Sequence, residues 1–195
     1  MAVVRGRAVS LEEVNAMDQA TFVEAFGSMY VGATWPAERV AGQRPFTSAA
    51  ELRQAFEDVV LTASPTEQEA LMAGYTDIVD LLLSQDAPGG DQQAHMDTAS
   101  LALGELDDAQ AAELRALGSA YHERFSRPLV MCVSRVANRE TLMARGWARV
   151  ESSPAREARV ALGEVIDIAD ERFDAMIADA NPIRTAWARK FEQLD

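Results

Sequence analysis

The stretch Ala73-Gly74-Tyr75-Thr76-Asp77-Ile78 separates two helical patterns, and the rest of the chain organises around it. Gly74 reads as a helix end and Thr76 as the cap of a new start. Upstream, Ser64 with Glu67 fits a capping box, and Pro65 takes the favoured first helical position. Ser10 with Glu13 and Ser48 with Glu51 repeat that signal. Phe22, Phe26 and Met29 recur at helical spacing, as do Leu52, Phe56 and Val59. Downstream, Asp107 can cap a helix whose apolar stripe is Leu114, Leu117, Tyr121 and Phe125. Asn138 can cap the next, which contains Leu142 and Trp147. Pro154 opens the longest pattern, reaching about Asp179.

Strand signals are scarce. Leu129 to Val133 could pass for a strand, but a lone strand has no partner, so it reads as a buried extended piece or a helix start. Asp86-Ala87-Pro88-Gly89-Gly90-Asp91 is the clearest loop. Asn181-Pro182 interrupts the chain before a last segment in which Trp187, Phe191 and Leu194 share one face. That face must pack on the body or on another subunit. The expected class is all-α: a compact single-domain bundle of about eight helices over residues 1–180, with an amphipathic tail helix over 181–195.

Composition narrows the function. The 195 residues carry a net charge of −13, which argues against nucleic acid and anionic membrane surfaces as partners. No apolar run reaches the roughly 18 residues of a membrane span, and the first residues lack the apolar region of a secretory signal. The single cysteine, Cys132, lies in an apolar run and reads as a buried, inert thiol. A cytoplasmic location is expected.

With two histidines and one cysteine, the chain has no metal-ligand spacing, so no metal is expected. No Gly-rich phosphate loop and no Gly-x-Ser-x-Gly elbow are present. His122 lies beside its helix stripe and reads as a solvated histidine. His95, two residues before Asp97, is either a tuned acid/base or an ordinary surface histidine. Arg172 sits on the apolar stripe of the longest helix, four residues after Ile168. There it must snorkel, pair with a buried acid, or hold an anionic ligand, for which a guanidinium fork is well shaped. Tyr75 alone reads as a core anchor with a satisfied hydroxyl.

Several segments, in order, carry a resemblance. They are Val14-Asn15-Ala16-Met17 with Phe22, Trp35-Pro36, Arg44-Pro45-Phe46, the Tyr75 turn, Tyr121 with Arg124-Phe125 and Pro128, Arg149-Val150, and Arg172-Phe173. Over about Val14 to Ile177 the chain resembles the 2-oxo-4-hydroxy-4-carboxy-5-ureidoimidazoline (OHCU) decarboxylase family of uric acid breakdown. That family carries His-Pro-Asp-Leu where this chain has Tyr75-Thr76-Asp77-Ile78. The family's Glu-Gln pair falls on Asp97-Thr98, and the asparagine before its tyrosine on Gly118. Its Phe-Gly-Phe-Pro-Phe stretch falls on Phe125-Ser126-Arg127-Pro128-Leu129.

The resemblance implies a homodimeric enzyme that needs no metal or organic cofactor. In the family a histidine and a glutamate handle protons, while arginine and backbone groups hold the substrate. Carried to this chain, it implies Tyr75, Asp97 and His95 as catalytic candidates. Arg172, Thr76, Thr98, Pro128 and Leu129 are the substrate-binding candidates. The expected function is a diverged lyase acting on a small carboxylate-bearing or carbonyl substrate. The alternatives are the family's own reaction, giving (S)-allantoin, and a non-catalytic binding protein on the same scaffold.

Overall fold

The computed structural model describes residues 8–83, 106–178 and 180. Nine α-helices occur among them: α1 (Leu11–Ala16), α2 (Gln19–Phe26), α3 (Trp35–Ala41), α4 (Ala49–Leu61), α5 (Pro65–Ala73), α6 (Ile78–Leu83), α7 (Asp108–Phe125), α8 (Arg139–Val150) and α9 (Pro154–Met176). One 3-10 turn spans Val133–Arg135. Extended pairing among the described residues is limited to the isolated bridges Val9 with Ile177 and Tyr30 with Ala33. The all-α expectation holds. The expected tail helix, the Asp86–Asp91 loop, and His95, Asp97 and Thr98 lie outside the described residues. The chain divides into two compact units, Met1–Leu71 with Ile166–Asp195, and Met72–Val165.

In the first unit the caps set the helix starts. Ser10 Oγ accepts the Glu13 N–H at 3.2 Å, and Glu13 reaches back to the Ser10 N–H at 2.8 Å. Ser64 and Glu67 form the same reciprocal box ahead of α5. Ser48 differs from expectation: its Oγ accepts the Glu51 N–H, but Glu51 turns to the N–H and hydroxyl of Thr47, one residue earlier. The apolar faces of α2 and α4 meet through Phe22, Phe26 and Phe56, whose ring centroids lie 4.6–6.1 Å apart. Pairs at that range add to simple area burial. Arg44 lies over the Phe22 ring and donates to the carbonyls of Ala41 and Met17, tying the end of α3 to the chain after α1. Val9 exchanges backbone hydrogen bonds with Met176 and Ala178, which fastens the N-terminal segment beside the end of α9.

The second unit packs α6, α7 and α8 around Leu82, Leu114, Leu117, Tyr121, Leu129 and Leu142. Gly146 makes the α7–α8 approach possible, since a Cβ there would lie 2.5 Å from a Leu117 methyl. Leu129 to Val133 is fully enclosed, with Leu129 and Cys132 at 0% exposure. It is the buried extended piece rather than a helix start, and it ends in the 3-10 turn.

Candidate active site

The Tyr75 turn lies in the second unit, between α5 and α6. Tyr75 is buried and Thr76 is exposed. The cap of α6 falls on Asp77, not on Thr76 as expected. Asp77 Oδ1 accepts the Val79 N–H at 2.8 Å, and its backbone carbonyl accepts the Leu81 N–H. A carboxylate is the stronger acceptor for the free N–H groups of a helix start, because it adds charge to the hydrogen bond.

The second Asp77 oxygen reaches across the chain. Oδ2 accepts the Leu129 N–H at 2.8 Å, and the Leu129 carbonyl accepts the Ile78 N–H at 3.0 Å. Asp77 and Ile78 are therefore held beside Leu129 by one side-chain and one backbone bond, with Pro128 half-buried. Of the expected site residues, Leu129 takes part in the clamp itself, while Tyr75 and Thr76 precede Asp77 in the chain and Pro128 precedes Leu129. The Leu129 side chain goes into the apolar core. Burial pushes the Asp77 carboxyl above its ordinary value, although the N–H groups of Leu129 and Val79 pull the other way.

A buried polar network joins Tyr121 and Arg149, both among the segments of the resemblance, to Glu157 and Glu164, which the sequence reading did not single out. Glu157, on the first turn of α9, is 0% exposed. Its Oε1 accepts the Tyr121 hydroxyl at 2.6 Å, Arg149 Nε at 2.8 Å and Arg149 Nη2 at 2.5 Å. Arg149, also buried, donates from Nη1 to the Val130 carbonyl at 2.6 Å. Two turns further along α9, buried Glu164 accepts the Cys132 N–H at 2.8 Å and pairs with Arg145 at 2.5 Å. Two guanidinium groups thus face two carboxylates, as buried charge requires. Burial alone depresses the ionisation of Arg149, but Glu157, Tyr121 and Glu164 together outweigh it and raise the pKa. Burial and the bond to Glu157 hold the Tyr121 hydroxyl protonated well above the ordinary tyrosine range. The available sequence signal was weak: Glu157 and Glu164 lie seven residues apart on the edge of the α9 stripe.

Arg172 belongs to the first unit. It is half-buried, and its Nη1 donates to the carbonyls of Ser28 at 3.0 Å and Met29 at 3.3 Å, just past the end of α2. Those carbonyls belong to the turn that follows α2, and a charged donor makes the stronger kind of hydrogen bond to them. His122 is exposed on α7, as expected. Among the described residues, no three His, Cys, Asp or Glu side chains are grouped so as to hold a metal ion, and no helix is long and apolar enough to cross a membrane.

Comparison with known proteins agrees with the fold and the motif order. A protein named 2-oxo-4-hydroxy-4-carboxy-5-ureidoimidazoline decarboxylase from Haloferax volcanii is 36% identical over 165 residues, covering 85% of this chain and 94% of that protein. One of the same name from Amia calva is 28% identical over 169 residues, covering 87% and 95%. The crystal structure of an (S)-allantoin synthase superposes with a TM-score of 0.70 at 21% identity, covering 87% of this chain and 55% of that one, which is a likeness of fold. The model of the OHCU decarboxylase family matches residues 15–174, and the chain belongs to that family.

Proposed function

We propose that this protein is a cofactor-free lyase of decarboxylase type whose chemistry has diverged from that of its relatives. Its substrate is a small polar molecule bearing a carboxylate or carbonyl group. The observation that carries this reading is Tyr75, a buried phenol on a clamped turn, at the position where the family pattern has histidine. An ordinary phenol titrates near pH 10, so it is a poor base at neutral pH. It is a good hydrogen-bond donor.

When a C–CO2 bond breaks, its electron pair moves onto the neighbouring carbon and into an adjacent carbonyl. A fixed donor stabilises the oxyanion that develops there. A proton must then reach the carbon, and Asp97 or His95 takes that role in this reading. Thr76, Thr98, Pro128 and Leu129 contribute to substrate binding, and Arg172 is the candidate anchor for a carboxylate. The reading also takes the protein to be a cytoplasmic homodimer.

One observation favours a second reading, the family reaction itself: the Haloferax relative that bears the decarboxylase name aligns over nearly its whole length. Freshly made ureidoimidazoline substrate separates the two. Divergence predicts no rise in optical activity from (S)-allantoin, and turnover near about 10 per second would establish the family reaction instead. A survey of small oxo- and hydroxy-carboxylates for carbon dioxide release, repeated with Tyr75→Phe, then tests the donor role. Release by the native chain that is lost in the variant supports it. No release from any compound, with none bound, favours a protein that does not catalyse.

A further inference from the structure

We propose that Arg149 is a positioning residue for the turn that carries Tyr75, acting through the enclosed segment Leu129–Cys132. Its place in any reaction rests on the reading of Tyr75 given above, but the mechanical linkage does not. Every link is a hydrogen bond within the second unit. Arg149 Nη1 holds the Val130 carbonyl at 2.6 Å, and Glu164 holds the Cys132 N–H at 2.8 Å. The residue before them, Leu129, gives its N–H to Asp77 and accepts from Ile78. Asp77 stands two residues after Tyr75 and starts α6.

Leu129–Cys132 has no helix or sheet of its own to order its backbone. Backbone partners serve the Leu129 and Cys132 carbonyls, but the Leu129 N–H, the Val130 carbonyl and the Cys132 N–H are held by side chains, and a buried backbone group left unpaired is costly. Arg149 suits the task because Glu157 fixes it through two nitrogens, leaving the third aimed at Val130. Tyr121 completes the fixture by donating to the same Glu157 oxygen. A lysine has one nitrogen and cannot hold Glu157 and Val130 in that forked geometry.

The test uses the full chain and reads no activity, so it stands apart from any assay of Tyr75. Amide hydrogen exchange is followed in the native chain, in Arg149→Lys, and in the milder Tyr121→Phe. The reporters are the N–H groups of Ile78, Val79 and Leu129, with Leu117 in the middle of α7 as reference. In Arg149→Lys the three reporters should exchange about tenfold faster relative to Leu117, which marks local opening rather than a general loss of stability. Tyr121→Phe should move them the same way by less. The Asp77 carboxyl, followed by carbon NMR, should titrate closer to its ordinary value as it meets water. Equal acceleration at all four amides, with an unchanged Asp77 titration, would make Arg149 an ordinary core ion pair and overturn the proposal. If Arg149→Lys does not fold, Tyr121→Phe decides by the same comparison.

Discussion

Asp77 and Leu129, 52 residues apart, are joined by a carboxylate-to-backbone hydrogen bond of 2.8 Å, and the other Asp77 oxygen starts α6. One side chain thus fixes a helix start and the enclosed segment that runs beside it.

Asp77→Asn should weaken that joint. An amide oxygen can accept one of the two N–H groups, but its NH2 faces the other donor. A buried donor left unpaired costs about 1–3 kcal/mol. The pH dependence has an unusual sign. Burial raises the folded-state pKa of Asp77 above its ordinary 3.8, so the folded state holds the proton more tightly than the unfolded state. Its contribution to stability therefore declines as pH rises from the ordinary value through the raised one. Urea unfolding of the native chain and Asp77→Asn across that interval should differ by this slope, and parallel curves would refute the assignment.

Arg172→Met should lower stability by about 1–3 kcal/mol, the range for hydrogen bonds from a charged donor. The loss includes the bonds to the Ser28 and Met29 carbonyls after α2. Thermal melting measures the loss. Anion binding, compared in parallel, reports separately on the proposed anchor role.

Ser126→Gly should stabilise the protein. Ser126 closes α7 in the left-handed region, with φ 54° and ψ 33°. The family pattern places glycine here. Relief of the Cβ strain outweighs the extra freedom of glycine in the unfolded chain, for a net gain of about 0.5–1 kcal/mol. A lower melting temperature in the variant would show that the serine side chain contributes more than its backbone costs.

Glu67 should govern part of the acid limb. Hydrogen bonds from Ser64, then from Arg39, lower its pKa from 4.5 to about 2. A depressed carboxylate pKa contributes stability that is present above the ordinary value and lost as pH falls toward the folded one. Unfolding measured between about pH 5 and pH 2 should be less steep in pH for Glu67→Gln than for the native chain. Because the pair lies at the surface, salt should shrink the difference.

The sequence by itself determined the helices that begin with a cap and carry a full apolar stripe. Ser10, Ser64, Asp107, Asn138 and Pro154 mark their starts because the signals are local: a side chain reaches an N–H two or three residues away, and the stripe repeats every turn. The order of short motifs also identified the family. The chain could not state what its buried charges do. Glu157 and Glu164 look like ordinary members of a polar helix face until α8 and α9 bring Glu157 to Arg149, Arg149 to the Val130 carbonyl and Glu164 to the Cys132 N–H. Arg172 reads as an anchor or an ion-pair partner in the sequence, and its bonds to the Ser28 and Met29 carbonyls are visible only in the folded chain. Thr76 is the cap the sequence suggests, Asp77 is the one the structure uses, and the Leu129 N–H that Asp77 also accepts belongs to a residue 52 positions away. Local hydrogen bonds and periodic burial are written in neighbouring residues. The partner of a buried charge is chosen by packing, and only the tertiary structure decides it.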